Sequence, residues 1–444
     1  MTECSTALSL FPLPKLEVVV RDDGGEITSD AGVLLVREID ERLGLTERLA
    51  QCLSDARDQA KVHHSMLGLV RQRVYQITCG YEDCNDADWL RFDAALKLAV
   101  GKAPEEESLA SQPTLSRMEN GPGWRECYAI SEALVAAYVA RHQAEPPARI
   151  ILDADATDDE CHGHQQLAFF HGYYEEHCYL PLLVFAQAEG HGEQELIAAV
   201  LRPGNVHAGY RAMAIIERIV ARLREAFTYC SIELRADAGL ALPEVYNGCE
   251  AIGLPYAISL PKNERLKRLI EPWMADARAM HAQTAEKAVV FGEFWYAADT
   301  WSHERRVIAK AEVMSEGENP RFVVTNRTDS APESLYRHYC QRGDPENRIK
   351  ELKEGLRADR LSCHDFWANQ FRLLLYGTAY VLCQTMRACL VGTELATAQV
   401  STLRQHLLKV GARVRQSVRR VLVQLPTSYR WFYLWPRLAR AAPT

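Results

Sequence analysis

The spacing of apolar residues changes near the end of the first third of the chain. Over about residues 29–140, apolar positions recur every three or four residues, as in helices that bury one face. The clearest case is AGVLLVREIDERLGLTERLAQCL, which is preceded by Ser29 and Asp30 as candidate helix caps. A Pro-rich stretch at 145–148 follows. We therefore predict a helical N-terminal domain over residues 1–145.

The next part of the chain alternates between strand and helix patterns. Strands are predicted for RIILDADAT, CYLPLLVFAQA, LIAAVLRPG, SIELRAD and PYAISL, and helices for about Tyr210–Phe227 and from Pro243 onward. Three successive strands followed by alternating helix and strand indicate an α/β fold with a mixed sheet flanked by helices. This predicts the first part of a core domain over residues 146–261. The runs KAVVFGEFWYAADTW, RRVIAKAEVM and RFVVTN predict a β-rich insertion over residues 262–328.

The C-terminal third is predicted to be mostly helical and ends in a basic segment. Helical spacing resumes near Pro332, which predicts the helical end of the core over residues 329–390. Residues 391–444 form a basic C-terminal region, with nine Lys or Arg and no acid from Leu395 onward. Its segment ARVRQSVRRVLVQL fits a strand, and a helix is also compatible. Because the whole chain has a net charge of −8, only a local cation excess of this kind favours DNA.

The cysteines and the hydropathy indicate a cytoplasmic protein. The thirteen cysteines include no CxxC pair and lie among apolar residues, as buried free thiols in a reducing compartment do. No apolar run reaches membrane-spanning length, so we expect no membrane partner. Six Cys and His residues cluster in the sequence, but their spacing matches no common zinc motif, so polar packing competes with a metal site there. They are Cys161, His162, His164, His171, His177 and Cys178.

Four residues in YCQRGDPENRIKELKEG are spaced as one helical face. Tyr339 is followed at offsets of three, seven and fourteen by Arg342, Glu346 and Lys353. An acid between two cations is also typical of an ordinary salt-bridged helix surface. The pair Asp344–Pro345 suggests that the helix kinks or restarts here, with Asp344 as its cap.

Two strands carry acids at or near their ends. In RIILDADATDD, Asp153 and Asp155 alternate with apolar residues and therefore project from one side of the strand. A carboxylate in an apolar strand is unfavourable unless a partner offsets its charge, and a bound metal ion is one such partner. In ELRADAGL, Asp237 follows an apolar strand, as many turn aspartates do.

Two strand aspartates and a later helical glutamate can converge at one end of a sheet. Carboxylates without imidazole or thiolate favour hard cations such as Mg²⁺. Two such ions, about 4 Å apart, support phosphodiester chemistry.

The combination resembles the insertion-sequence transposases of the DDE class that carry a Tyr–Arg–Glu–Lys signature. LDADATDD resembles the first-acid strand of that family, which favours Asp155 over Asp153, with Thr157 as the matching threonine, and RADAGL resembles the second-acid strand. HGYYEEHCYLPLLVF, LRPGNVHAG and CQRGDPENRIKELKEGLRADR resemble one branch of these enzymes, and the likeness runs from about Ser29 to the basic tail.

The resemblance implies an RNase H-like core in which Asp155, Asp237 and Glu346 bind two Mg²⁺ ions, with Mn²⁺ as a substitute. It also implies that Tyr339, Arg342 and Lys353 contact the DNA and that the helical N-terminal domain over residues 1–145 binds the DNA ends. The expected substrates are double-stranded terminal inverted repeats and target DNA, and the expected reactions are strand cleavage and strand transfer by a dimer or higher oligomer in the bacterial cytoplasm, associated with the nucleoid when acting. An RNase H-like nuclease without strand transfer and a domesticated, non-catalytic DNA-binding protein are the alternatives.

Two secondary signals stay open at this point. SQPTLSRMEN fits the start of a recognition helix, with Thr114, Ser116 and Arg117 toward DNA, or a well-capped surface helix. The aromatic residues of the insertion, Trp295, Tyr296 and Trp301, fit either stacking on an unpaired base or core packing.

Overall fold

The computed structural model of the chain describes residues 8–10, 14, 16–190 and 192–440. The α-helices are α1 (Val33–Leu43), α2 (Leu45–Gln51), α3 (Met66–Thr78), α4 (Ala87–Leu90), α5 (Ala94–Val100), α6 (Gln112–Glu119), α7 (Trp124–His142), α8 (Ala212–Ala226), α9 (Pro243–Ala251), α10 (Glu264–Thr284), α11 (Pro332–Cys340), α12 (Gly343–Lys350), α13 (Phe366–Ala388), α14 (Val400–Leu403) and α15 (Trp435–Arg440). The strands are β1 (Leu8–Ser9), β2 (Val19–Val20), β3 (Ile27–Thr28), β4 (Arg149–Ala156), β5 (Asp159–Glu160), β6 (Phe169–His171), β7 (Glu176–Tyr179), β8 (Leu182–Ala188), β9 (Glu195–Val200), β10 (Ser231–Ala236), β11 (Tyr256–Leu260), β12 (Ala288–Tyr296), β13 (Arg305–Met314), β14 (Gly317–Glu318), β15 (Arg321–Thr325), β16 (Ala412–Ser417) and β17 (Arg420–Gln424).

The chain divides into two compact units. One comprises the described residues up to Gly121 together with those from Leu382 onward, and the other is Pro122–Val381. This division differs from the predicted boundaries at residues 145 and 391. Helix α7 belongs to the second unit because Val135 and Tyr138 are buried in the core beneath the sheet. The C-terminal strands return to the first unit because β16 pairs with β3.

In the first unit, the predicted long N-terminal helix is two helices. Gly44 has a φ of 61°, which ends α1 and precedes α2, because a left-handed residue cannot continue a helix. The predicted capping by Ser29 or Asp30 is wrong, since α1 begins after Gly32 without a side-chain cap. Asp30 is instead buried, where it accepts a hydrogen bond from Tyr81 at 2.8 Å. The open question about ARVRQSVRRVLVQL is answered by the antiparallel hairpin β16–β17.

The second unit is built on one mixed sheet with the strand order β12-β13-β15-β11-β10-β4-β8-β9, to which β14 adds at β13. Strands β4, β8 and β9 are antiparallel neighbours, whereas β10 runs parallel to both β4 and β11. Three antiparallel strands followed by two parallel ones, with helices on both faces, confirm the predicted RNase H-like mixed sheet.

The inserted segment extends this same sheet beyond β11. Strand β15 pairs antiparallel with β11, and β13 and β12 follow it outward. The prediction of only short β-like runs here missed α10, a helix of 21 residues. Its buried side chains, Leu266, Ile270, Met274 and Ala277, recur every three or four residues and form one buried face of the helix.

Strand alternation sorts the side chains of β4 between the two faces of the sheet. Ile150, Leu152 and Ala154 enter the core that includes buried residues of α7–α10. Asp153 and Asp155 therefore project from the opposite face. On that face, Leu335 and Tyr336 of α11 are buried among residues of β11, β13 and β15. This face carries the acids and the segment with the Tyr–Arg–Glu–Lys spacing.

A second, smaller sheet lies between β4 and β8 in sequence. It has the order β5-β7-β6 and is antiparallel throughout. The cysteines that the structure describes are free thiols, most of them buried, as predicted. Among the helices described, none is long and apolar enough to cross a membrane.

Candidate active site

The register of β4 and β10 brings two aspartates together. Asp153 lies opposite Arg235, and Ala154 opposite Ala236. One residue further, Asp155 and Asp237 reach the carboxyl ends of these parallel strands. The Asp237 carboxylate accepts the backbone N–H of Gly239 at 2.9 Å. A Cβ at Gly239 would lie 2.8 Å from that of Ala208, so only glycine allows this turn without displacement.

The electrostatics show that Asp237 and Glu346 act on Asp155 and that Glu346 acts on Asp237. Burial and the neighbouring negative charge of Asp237 raise the pKa of Asp155 to about 7, although Arg342 opposes this effect. Burial also raises the pKa of Asp237, to which the charge of Glu346 contributes in the same direction. The three predicted acids therefore share one electrostatic environment.

Arg342 connects the first and the third acid. Its Nη1 donates to Asp155 Oδ2 at 2.9 Å, and its Nη2 donates to Glu346 Oε1 at 2.8 Å. Arg342 is largely buried, whereas the Glu346 side chain is 66% exposed. Burial alone would lower the pKa of Arg342, but the charge of Asp155 outweighs it and raises that pKa. A permanent cation thus lies between the two carboxylates.

The segment that carries these residues is not one continuous helix. Tyr339 lies on α11, Arg342 lies in the break, and Glu346 lies on α12. Because α12 begins at Gly343, Asp344 is inside the helix and the prediction that it forms the cap is wrong. Lys353 follows in a π-helical turn, Glu351–Gly355, where the spacing of side chains differs from that of an α-helix.

Tyr339 and Lys353 have different neighbours. Tyr339 is partly buried, and burial raises its pKa, while the neighbouring charge of Arg342 and the hydroxyl of Ser259 act in the opposite direction. Lys353 Nζ donates to the backbone carbonyl of Asp158 at 2.6 Å and lies 3.3 Å from its carboxylate. It also lies 3.4 Å from the hydroxyl of Thr157. Lys353 therefore joins the end of the helical segment to the residues that follow β4.

An open cleft of ≈ 460 Å³ adjoins these groups. Its lining includes Asp155, Thr157, Glu346 and Lys353, together with the exposed pair Lys350 and Glu354. Polar side chains of both charges thus surround a space that is accessible from solvent.

Asp153 has a different environment from Asp155, although both project from the same face of β4. Arg235 donates to its carboxylate from Nε at 2.8 Å and from Nη2 at 2.6 Å. Gln194 donates at 2.6 Å, and Arg235 also reaches the carbonyl of His338 at 2.9 Å. Asp153 is therefore enclosed by protein donors that tie β4 and β10 to α11. Arg235 was not among the predicted site residues, although its position two residues before Asp237 places it on the same face.

Residues 12–440 match the protein family described as transposase DDE domain group 1. The chain belongs to this family. The match confirms a DDE-class transposase and spans almost the whole sequence. No curated protein matches the chain.

The donor set of this transposase fits a hard cation, although no group of three Cys, His, Asp or Glu side chains in the described residues is gathered closely enough to hold a metal ion. DDE transposases generally use divalent metals. Asp155 is buried beside two further acids, and its raised pKa is the penalty that a bound cation would remove. In the arrangement described here, the Arg342 guanidinium supplies the positive charge between Asp155 and Glu346.

The Cys and His cluster of the transposase is spread over the small sheet. Cys161 and Cys178 are buried, and burial raises both thiol pKa values to about 12. His162 is exposed near Glu160, whereas His171 and His177 contact the rings of Tyr174 and Phe170. These contacts favour polar packing over a shared metal.

The structure also places the segment SQPTLSRMEN and the aromatic residues of the insertion. Residues 112–119 form α6, with Arg117 exposed and Leu115 and Met118 buried. Tyr296 is buried and Trp301 packs edge-on against it, as core residues do. Trp295 is exposed on the edge strand β12, five strand spacings from β4, or roughly 24 Å.

Proposed function

We propose that this transposase binds the terminal inverted repeats of an insertion sequence and catalyses Mg²⁺-dependent strand cleavage and strand transfer. The observation that carries the proposal is the common electrostatic environment of Asp155, Asp237 and Glu346. These residues come from two adjacent parallel strands and a later helix. We assign them as the catalytic acids, and we expect a dimer or higher oligomer to act on the DNA.

The three acids would hold the two Mg²⁺ ions. When bound, these ions activate the attacking oxygen and stabilise the leaving oxygen of a phosphodiester. Asp155 must be ionised to serve as a ligand, so its raised pKa favours ligation near or above neutral pH. The enclosed Asp153 keeps β4 in register with β10 and does not act as a ligand.

The cations of the Tyr–Arg–Glu–Lys segment are assigned to the DNA backbone. Arg342 presents a planar donor fork that suits phosphate as well as carboxylate, so it can transfer from Asp155 and Glu346 to the substrate. Lys353 provides a compact charge beside the cleft, and Tyr339 orients Arg342 through its hydroxyl. Free enzyme and DNA complex would then differ in the partners of Arg342.

Variants of the acids test this assignment. With a labelled transposon end, Asp155→Asn, Asp237→Asn and Glu346→Gln should each lower cleavage by about 1000-fold or more and leave end binding largely intact. Glu354→Gln is the matched control, because Glu354 is an exposed acid of the same cleft. Near-normal cleavage by Asp237→Asn would contradict the assignment. A wild-type enzyme that cuts the end but never joins it to target DNA would be a nuclease.

The basic hairpin β16–β17 is assigned a nonspecific electrostatic grip on DNA. Arg413 and Arg415 alternate with buried Val414 and point to solvent, and Arg419 and Arg420 lie at the turn. Because phosphate contacts release counterions, neutralising these four arginines should reduce the salt dependence of DNA binding, by about 0.9 in the log–log slope for each lost contact. An unchanged slope in a salt titration would remove this role.

A further inference from the structure

One long stretch of the second unit carries acids but no cation of its own. No Lys or Arg occurs from Ile150 to Leu201, although ten Asp or Glu residues lie there. The stretch includes nearly all of β4, the small sheet β5-β7-β6, β8 and β9. The negative charges of this stretch therefore depend on cations that come from other parts of the chain, and Lys353 is one of them.

The contacts of Lys353 are all made with the residues that follow β4. Its Nζ lies 2.6 Å from the carbonyl oxygen of Asp158, 3.3 Å from the carboxylate of Asp158 and 3.4 Å from the hydroxyl of Thr157. An ammonium group has three N–H donors, so these three oxygens can occupy all of them. A phosphate that binds Lys353 must displace at least one of the three.

Two further acids lie close enough to interact with the same ammonium. Asp159 is 2% exposed, and burial raises its pKa well above the ordinary value, while the charge of Lys353 opposes this effect. Burial and the charge of Asp158 raise the pKa of Glu176 on β7, and Lys353 again acts in the opposite direction. Asp158 differs from both because its carboxylate is paired directly with the ammonium.

The backbone of Lys353 is anchored, so that only its side chain needs to move. Lys353 lies in the π-helical turn Glu351–Gly355. In this turn the buried Glu351 accepts a hydrogen bond from Tyr380 at 2.8 Å and lies 3.3 Å from Nη1 of Arg348. The Lys353 side chain has a flexible four-carbon stem, is 22% exposed and lines the cleft of the catalytic acids. Its ammonium can therefore exchange partners across the edge of the cleft.

We propose that Asp158 is a positioning residue, which holds the Lys353 ammonium in the free enzyme until a backbone phosphate of the transposon end displaces the Asp158 carboxylate. This inference rests on the proposed function, in which Lys353 binds DNA. Carboxylate and phosphate compete for the same cation, so the contact with Asp158 reduces what Lys353 contributes to DNA binding. The pair is partly exposed, which keeps that reduction small and the exchange reversible.

The first test needs no DNA and uses the full chain. Acylation of lysines by an amine-reactive acetyl ester is followed by mass spectrometry, with Lys350 of the same chain as the internal reference, because its side chain is 66% exposed. Asp158→Asn should raise the acylation rate of Lys353 relative to Lys350 by about 3-fold or more, since the amine is less firmly held. An unchanged ratio of the two rates would overturn the inference.

The second test measures the Kd of a labelled transposon end in a double-mutant cycle. Asp158→Asn should lower the Kd by about 3–5-fold when Lys353 is present and should have no effect in the Lys353→Ala background. Glu354→Gln is the matched control, because it removes the same charge from an exposed acid of the same cleft. Its effect on the Kd should be the same with and without Lys353.

The outcome of the cycle separates this inference from the proposed function. If Asp158→Asn leaves the Kd unchanged, or changes it equally in both backgrounds, Asp158 does not compete with DNA for Lys353 and the inference is wrong. The proposed function stands in that case, provided that the wild type binds the transposon end and Lys353→Ala weakens the binding. A wild type that binds no transposon end would overturn both.

Discussion

Two aspartates of one strand, two residues apart and on the same face, have opposite surroundings. Asp153 accepts hydrogen bonds from Arg235 and Gln194 within the protein, and it is completely buried. Asp155 lies beside two further acids and shares the donor Arg342 with Glu346. Donors within the fold offset the charge of the Asp153 carboxylate. The Asp155 carboxylate can exchange its donor, Arg342, for another cation.

This difference separates a residue that maintains the fold from one that is available for chemistry. A carboxylate that is saturated by fixed donors gains nothing from a cation or a phosphate. A carboxylate that is repelled by neighbouring carboxylates is stabilised strongly when a cation binds to it. The alternation of β4 cannot distinguish the two, because the deciding donors come from β10, from the residue before β9 and from the helical segment.

The largest expected effect is on stability at the enclosed acid. Asp153→Ala leaves the guanidinium of Arg235 buried without its partner, which should lower the free energy of unfolding by about 3–5 kcal/mol. Asp155→Asn removes a repelled charge and should leave stability unchanged or raise it. Urea denaturation of both variants at neutral pH measures the difference. Equal losses in the two variants would mean that the two aspartates have similar structural roles.

The two arginines that bind these aspartates extend the comparison. Arg342→Lys loses the bidentate fork and should lower cleavage by about 100-fold, with less than about 1 kcal/mol of stability lost. Arg235→Lys should instead destabilise the fold, because a lysine cannot satisfy Asp153 and the His338 carbonyl together. Cleavage rate and melting temperature are measured on both variants.

Lys353→Ala should behave as Arg342→Lys does, with Lys350→Ala as the control from the same cleft. Full activity in both Lys353→Ala and Arg342→Lys would leave these cations as ordinary ion pairs with Asp158 and Glu346.

A smaller, pH-dependent effect is expected at Glu233, another enclosed acid. Burial alone would raise its pKa, but the hydrogen bond from His338 and the cations Arg149 and Arg327 outweigh it and lower that pKa to about 2. An acid with a lowered folded-state pKa stabilises the protein above its ordinary value of 4.5, and this contribution is lost as the pH falls toward 2.

Between neutral pH and about pH 3, the wild type should therefore lose about 2 kcal/mol that Glu233→Gln does not lose. Unfolding free energies at both pH values provide the measurement. Glu333→Gln, which removes an exposed ion pair on α11, the helix that carries His338, is the control. If the free energy of unfolding falls equally on acidification in Glu233→Gln and in wild type, the pKa of Glu233 is not lowered by its partners.

The sequence was sufficient for those features that depend on local patterns. Apolar alternation predicted β4, β8 and β10, and the positions of Asp155 and Asp237 at strand ends followed directly. Helix α10 was missed because Pro272 lies inside it, at a position where a proline usually ends or kinks a helix. The break before α12 and the π-helical turn at Lys353 depend on what the segment packs against.

The partners of the charged side chains were the least predictable feature. The salt-bridged alternative placed Glu346 between the two cations Arg342 and Lys353. Arg342 pairs with Glu346, but nothing in the spacing indicated that Lys353 would bind Asp158 and Thr157. Those contacts join positions almost two hundred residues apart, and only the packed fold brings them together. The same holds for Arg235, which acquires its role from a strand pairing.

Asp155 and Arg342 are 187 positions apart in the chain, so they are synthesised at different times during translation. A ribosome that adds about 5–20 residues per second needs roughly 10–40 s between these two codons. During that interval the nascent chain can form its first strands, but it lacks the last acid and both cations. On the proposed assignment, a chain that terminates before Glu346 lacks one of the three catalytic acids and does not cleave DNA.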